Sequence, residues 1–264
     1  MPDEEKDSQD STVKATFSMP VGDVFLNASA VIPSGHTTLT NLLPVIQNLE
    51  NAILSQVSAE AVQAGSPISC RAGCGACCRQ LVPVSLFEAE ALMLWMKSLP
   101  EERRTQLEER FNRALSALRE AGVLDSILDQ SWALEQEKAT ELAIEYFHAG
   151  VACPFLEDES CSIHPFRPLS CREYLVTSSP ELCRDPAKND VAGVQLPLKL
   201  SRVLYTFGQK MEQDPRGWIP LVFLLAWGKS GAKPGDYVSG SGPEVLRKFL
   251  KQVSELSNSQ KKDE

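Results

Sequence analysis

Apolar positions in this chain recur mostly with the period of an α-helix. Leu42, Ile46, Leu49, Ile53 and Val57 stand three or four residues apart, which places them on one helical face. The spacing predicts a helix over about 41–63, with Pro44 tolerated near its start and Gly65 and Pro67 ending it. Ser85 and Glu88 make a capping box for a helix of about 86–98. Ser98 and Glu101, around Pro100, read as a second capping box. The helix it opens carries Leu107, Phe111, Ala114, Leu115 and Leu118 as one apolar stripe, with Glu and Arg residues on the other face. Ala139, Leu142, Ala143, Tyr146 and Phe147 mark a further helix, and Gly150 is a natural stop. Leu200 to Met211, the apolar stretch 218–227, and Val245 to Leu256 after the Gly240–Pro243 turn complete the helical set.

Extended structure is sparser. Phe17, Val21, Val24 and Leu26 sit among Pro20, Gly22 and Pro33, which predicts one or two short strands between Ala15 and Ile32. Val194–Leu198 reads as another strand. Cys153-Pro-Phe-Leu and Cys161-Ser-Ile flank the polar run Glu157-Asp158-Glu159-Ser160 as a hairpin, and a short helix around Ser170–Tyr174 follows Pro168. The expected fold class is therefore mainly α: a helical domain with a small cysteine-rich loop and β-hairpin subdomain that binds metal. Residues 1–15 are expected to be a disordered acidic tail, 16–258 a single helical domain with its cysteine region at 68–184, and 259–264 a tail.

The 264 residues suffice for a sizeable core. A net charge of −9 argues against a nucleic-acid surface and against docking on an anionic membrane. The N-terminus lacks the basic start and apolar run of a signal peptide, and the apolar run 218–227 is far short of the roughly 20 residues of a membrane span. A cytosolic protein is expected, in which thiols stay reduced. Eight cysteines are too sparse for a disulfide scaffold, so clustered ones point to metal or redox chemistry.

Half of those cysteines fall in the nine positions Cys70–Cys78. Thiolates at short, turn-compatible spacing are what a soft metal requires, and Gly73 and Gly75 let the backbone bend around a ligand. The spacing of Cys70, Cys74 and Cys77 can hold three irons of a [4Fe–4S] cluster. Cys77 and Cys78 are adjacent, so their side chains diverge and sharing one ion would be awkward. They go to separate sites or to separate irons of one cluster. A second, looser group is Cys153, Cys161 and Cys171, with Cys183 beyond it, and a spacer of 74 residues separates Cys78 from Cys153. Eight thiols equal two four-cysteine sites, or one four-iron cluster with spare ligands. Cys183 is either a ligand or a small buried hydrophobe. His164 is either a ligand or a hydrogen-bonded structural histidine. Arg71, Arg79, Arg167, Arg172 and Arg184 lie near cysteines in sequence, placed either to offset thiolate charge or to pair with Glu157, Glu159 or Glu173. Gly228-Lys229-Ser230 lacks the first glycine of a phosphate-binding loop.

Cys70-x3-Cys74-x2-Cys77-Cys78-Arg79, followed by Cys153-Pro-Phe-Leu and Cys161-Ser-Ile-His164-Pro-x-Arg167-Pro168-x2-Cys171-Arg172-Glu173-Tyr174, resembles the bacterial YkgJ-like cysteine-cluster family, described as a putative zinc- or iron-chelating domain. The resemblance covers about residues 68–184. It implies that Cys70, Cys74, Cys77, Cys78, Cys153, Cys161 and Cys171 are metal ligands and that the cofactor is an iron–sulfur cluster or zinc. The pattern is also similar to that of flagellin lysine N-methylases, thought to be iron–sulfur enzymes using S-adenosylmethionine. By the same kind of resemblance, the three-cysteine spacing is that of radical enzymes that cleave S-adenosylmethionine. The expectation is thus a cytosolic metal-binding protein holding iron, as [4Fe–4S], or zinc. An iron–sulfur enzyme of redox or methyl-transferring type, and a metal carrier or interaction module, are the alternatives.

Overall fold

The structure, a computed structural model, describes residues 11–22, 24–129, 132, 135–211 and 216–260. It is 55% helical, with ten α-helices among the described residues. In chain order the elements are β1 (Thr12–Val21), β2 (Val24–Pro33), β3 (His36–Thr38), α1 (Leu43–Gln63), β4 (Pro83–Ser85), α2 (Leu86–Ser98), α3 (Glu101–Glu120), α4 (Leu124–Leu128) and α5 (Gln136–His148). They continue with β5 (Leu156–Glu157), β6 (Ser160–Cys161), α6 (Leu169–Glu173), α7 (Leu200–Gln209), β7 (Trp218–Pro220), α8 (Leu224–Gly228), α9 (Pro234–Tyr237), β8 (Ser239–Ser241) and α10 (Gly242–Gln260).

The strands form antiparallel pairs: β1 with β2, β3 with β8, β4 with β7 and β5 with β6. The β1–β2 hairpin buries Met19, Val21 and Ile32 and packs against α10. Helix α1 buries the stripe read from the sequence, Ile46, Leu49, Ile53 and Val57. Helix α2 contributes Leu86, Phe87, Leu92 and Met96, and Phe87 meets Phe207 of α7 edge-on at 6.2 Å. These faces join α10 in one continuous apolar cluster. The ends of α3, α4 and α5 form a second cluster around Leu118, Ile127, Leu142 and Tyr146. Fully buried rings such as Phe87 and Phe155 each stabilise the fold by about 2 kcal/mol.

Several expectations change. Strand β1 begins at Thr12, inside the segment expected to be a disordered tail, because Thr12–Ala15 pairs with Ala30–Pro33 of β2; residues 1–10 lie outside the described residues. Helix α10 runs to Gln260, past the expected boundary at 258, and 261–264 also lie outside. Val194–Leu198 is not a strand: only an isolated bridge, Val176 with Gly193, forms there. The apolar stretch 218–227 divides into β7, a 3-10 turn and α8, since Trp218–Pro220 is taken up by pairing with β4. The second capping box does not form. The Ser98 hydroxyl donates back to the Trp95 carbonyl at 2.7 Å, and Pro100 precedes α3. No helix among the described residues is long and apolar enough to cross a membrane.

Candidate metal centre

The cysteine loop follows α1 through a turn at Gly65 and leads into β4. Gly73 takes a φ of +80°, a conformation that favours glycine, and the chain then curls into a 3-10 turn over Ala76–Arg79. Amide bonds from Cys74 to the Arg71 carbonyl (3.2 Å) and from Cys78 to the Gly75 carbonyl (3.0 Å) fix the curl. The Ser69 amide and hydroxyl donate to carbonyls of Val176 and Ser178, which fastens the start of the loop to the segment after α6.

The second cysteine group arrives on the β5–β6 hairpin. Its turn residues Asp158 and Glu159 both have positive φ, as a two-residue hairpin of this hand requires. Phe155, two residues after Cys153, is wedged between Phe111 of α3 (5.4 Å) and Trp95 of α2 (6.1 Å). Helix α3 also supplies Arg110, which donates to the Pro154 and Leu156 carbonyls, and Arg103, which pairs with Glu157. Arg79 spans the two cysteine segments, donating to the Gly75 carbonyl at 3.0 Å and pairing with Glu159 at 2.7 Å. One backbone bond joins the groups directly: the Cys153 amide donates to the Cys78 carbonyl at 2.7 Å. The 74-residue spacer therefore folds into α2–α5 and returns the chain to its starting point.

Gly75 is where the two segments touch most closely. A Cβ there would fall 2.7 Å from both the Glu159 carboxylate and Leu156 Cδ1, and 3.2 Å from the Glu159 carbonyl. Gly75→Ala is expected to push the hairpin off the loop, at a cost of about 1–3 kcal/mol. Urea unfolding together with metal content per chain measures both effects, and an alanine variant as stable and as metal-rich as the parent would contradict the close packing.

Cys171 is delivered by α6, a helix too short to stand alone. Its N-terminus is held by Glu88 of α2, whose carboxylate accepts the Leu169 amide at 2.7 Å and the Ser85 amide at 3.1 Å, completing the capping box at the same time. The Ser170 hydroxyl bonds the Pro83 carbonyl at 2.6 Å. Arg172 turns away from the thiols, donating to the Arg167 and Pro165 carbonyls and to Asn51 Oδ1 at 3.0 Å.

Together these elements enclose a cavity of about 320 Å³. Cys74, Cys77, Cys78, Cys153, Cys161 and Cys171 line it, joined by His164 and Arg167. Cys77 lies at its centre electrically: its charge bears on Cys70, Cys78, Cys153, Cys161, Cys171 and Cys183. The Cys78 thiol donates to the Cys77 sulfur, which holds the pKa of Cys77 below the usual thiol value and pushes that of Cys78 above it. Burial pushes Cys153 up to about 12 and Cys171 well above the usual thiol range. Buried thiols so placed resist ionisation unless a positive charge joins them, and a bound metal reverses that preference outright. The donor set thus fits a thiophilic metal. No three Cys, His, Asp or Glu side chains among the described residues stand in the tight arrangement of a single-ion site; the sulfurs ring a wider space.

All eight cysteines are free thiols. Of the seven sequence-predicted ligands, six face the cavity and Cys70 does not: it is exposed at the rim, beside Cys74. Cys183 is buried next to the first group rather than in the cavity, on a 3-10 turn over Pro180–Arg184. His164 lines the cavity, and burial holds it below the usual imidazole range. His148 lies elsewhere, 3.5 Å from Asp185. The cavity also includes Tyr174, Ser201, Arg202 and Tyr205, which carry no recognisable spacing in the sequence because α7 brings three of them from a distant segment.

A family model, CxxCxxCC, described as a putative zinc- or iron-chelating domain, matches residues 69–190. No curated protein and no solved structure matches the chain. The matched segment begins one residue before the cysteine loop and ends after Cys183, so it contains every cysteine of the chain. Residues 69–190, which supply every cysteine of the thiol cavity, are thus similar to the CxxCxxCC family, described as a putative zinc- or iron-chelating domain.

Proposed function

We propose that this protein holds iron as a [4Fe–4S] cluster, with Cys70, Cys74, Cys77, Cys78, Cys153, Cys161 and Cys171 as the ligand pool and zinc as the alternative occupant. The observation that carries this reading is the convergence of six thiols, from two segments far apart in sequence, on one cavity of about 320 Å³. That volume equals about ten waters at roughly 30 Å³ each, far more than one ion needs. The adjacent Cys77–Cys78 pair, whose side chains diverge, also favours a multinuclear group over a single ion. When bound, such a cluster supplies one-electron chemistry. The free thiols fit a reducing compartment such as the cytosol.

Purification without oxygen tests the reading. Brown protein with iron and acid-labile sulfide in equal amounts is the expected result. Colourless protein with zinc and no sulfide would replace the cluster by structural zinc, and carefully handled reduced protein with no metal would end both. A second reading, an iron–sulfur enzyme, is favoured by the cavity's extension past the thiols to Ser201, Arg202 and Tyr205, which leaves room for a small molecule. Incubating the reduced protein with S-adenosylmethionine and finding no cleavage products would remove its methyl-transferring form.

A further inference from the structure

Arg167 stands apart from the other arginines around the thiols. Arg79 is committed to Glu159 and the Gly75 carbonyl. Arg172 is committed to Asn51 and two carbonyls, Arg103 to Glu157, and Arg110 to the Pro154 and Leu156 carbonyls. Arg71, Arg184 and Arg202 are exposed. Arg167 lines the thiol cavity, and its Nε is buried with no hydrogen-bond partner among the described residues. Its backbone has little freedom: Phe166 packs on Trp95 at 4.9 Å, Pro168 is buried behind it, and its own carbonyl accepts from Arg172.

The buried Nε of Arg167 is left without a partner among the described residues, and such a group is costly unless something negative faces it. Of the carboxylates lining the cavity, Glu159 is paired with Arg79 and Glu173 accepts from the Ser201 amide and hydroxyl, so the groups left to face Arg167 are the thiols. Arg167 lines the cavity together with Cys77, Cys153, Cys161 and Cys171, so it adjoins thiols of both cysteine segments. A metal or cluster wrapped in four thiolates keeps a net negative charge, which a dry wall stabilises poorly. Guanidinium is the cation best suited to meet that charge there, being always ionised and weakly hydrated. The proximity of an arginine to a cysteine in sequence does not make this distinction; the place in the cavity wall and the unpartnered Nε do.

We propose that Arg167 is the counter-charge of the thiolate-bound metal, a positioning residue whose guanidinium faces the cysteines from both segments and raises the centre's hold on its metal. This rests on the metal-binding reading above. The test titrates reduced, metal-free protein with zinc against a chromophoric chelator, for the parent, Arg167→Gln, Arg167→Lys and the exposed control Arg184→Gln. Removal of a group supporting metal ligands typically weakens binding about 10- to 100-fold, and that loss is expected for Arg167→Gln alone. Arg167→Lys should recover most of the affinity, Arg184→Gln should match the parent, and all four metal-free proteins should melt alike. Parent-like zinc binding by Arg167→Gln overturns the proposal while leaving the metal site intact. Equal losses in the glutamine and lysine variants, with lowered metal-free melting, overturn it in favour of a packing role. A parent protein that binds no zinc in this titration and carries no iron when purified without oxygen overturns the metal reading and this proposal together.

Discussion

Cys171→Ser is expected to lose most of its metal and to melt about 10 °C below the metal-loaded parent. Cys171 lines the cavity wall on a five-residue helix whose position depends on Glu88 and Ser170. A serine hydroxyl there ionises far less readily than a thiol and is a poor ligand for a soft metal. Metal that binds the folded chain alone stabilises it by about 4 kcal/mol when present at a thousand times its dissociation constant. At about 2–4 °C per kcal/mol for a chain of this size class, its loss gives the stated shift. Thermal unfolding of the parent with and without chelator, beside Cys171→Ser and Cys183→Ala, checks this. The serine variant should melt with the chelator-treated parent, and Cys183→Ala should keep its metal. A serine variant that melts with the metal-loaded parent would show that α6 contributes nothing to the centre.

Glu50→Gln is expected to flatten the pH dependence of stability. Glu50 faces inward from α1, fully buried, and neither carboxyl oxygen makes a well-formed hydrogen bond among the described residues. Burial and then the neighbouring charge of Glu173 push its pKa up to about 8 from 4.5; the Leu200 amide and Arg172 offset this in part, and Glu88 adds to it. A carboxyl whose pKa is raised by folding holds its proton longer in the folded state. Its contribution is therefore complete below about pH 4.5 and is lost as pH rises through about 8. At about 1.4 kcal/mol per unit, the parent should lose about 3–5 kcal/mol over that range. Glutamine, which does not titrate, should remove that loss. Its amide has the same shortage of partners at every pH, so the comparison is the difference between two pH values. Urea unfolding of metal-free parent and variant near pH 5 and pH 9 reads it. Equal pH dependence in both would mean that Glu50 ionises freely, in contact with water.

The helices were legible because their apolar stripes are long and periodic. Ile46–Val57 of α1 and Leu107–Leu118 of α3 fall where a 3.6-residue period puts them, and one capping box, Ser85 with Glu88, is built as read. The failures occurred where pairing across the chain outweighed local preference. Trp218–Pro220 looks helical by its apolar run and becomes a strand because β4 lies beside it. Thr12–Ala15 looks like part of a polar tail and is extended because the far strand, Ala30–Pro33, pairs with it. The role of Glu88 was half legible: its spacing from Ser85 marks a cap, but its bond to the Leu169 amide, 81 residues away, leaves no trace in sequence.

By itself the sequence determined the kind of chemistry. Thiols at Cys70-x3-Cys74-x2-Cys77-Cys78, with glycines between them, call for a soft metal whatever surrounds them, because ligand type and short spacing are local properties. Only the tertiary structure decided which side chains meet. It folded the 74-residue spacer back so that the Cys153 amide reaches the Cys78 carbonyl, left Cys70 at the rim and Cys183 aside, and set Arg167 against the thiols while giving Arg79 and Arg172 other partners. Convergence and partner choice arise from packing among distant segments, such as Phe155 between Trp95 and Phe111, and no spacing along one chain encodes them.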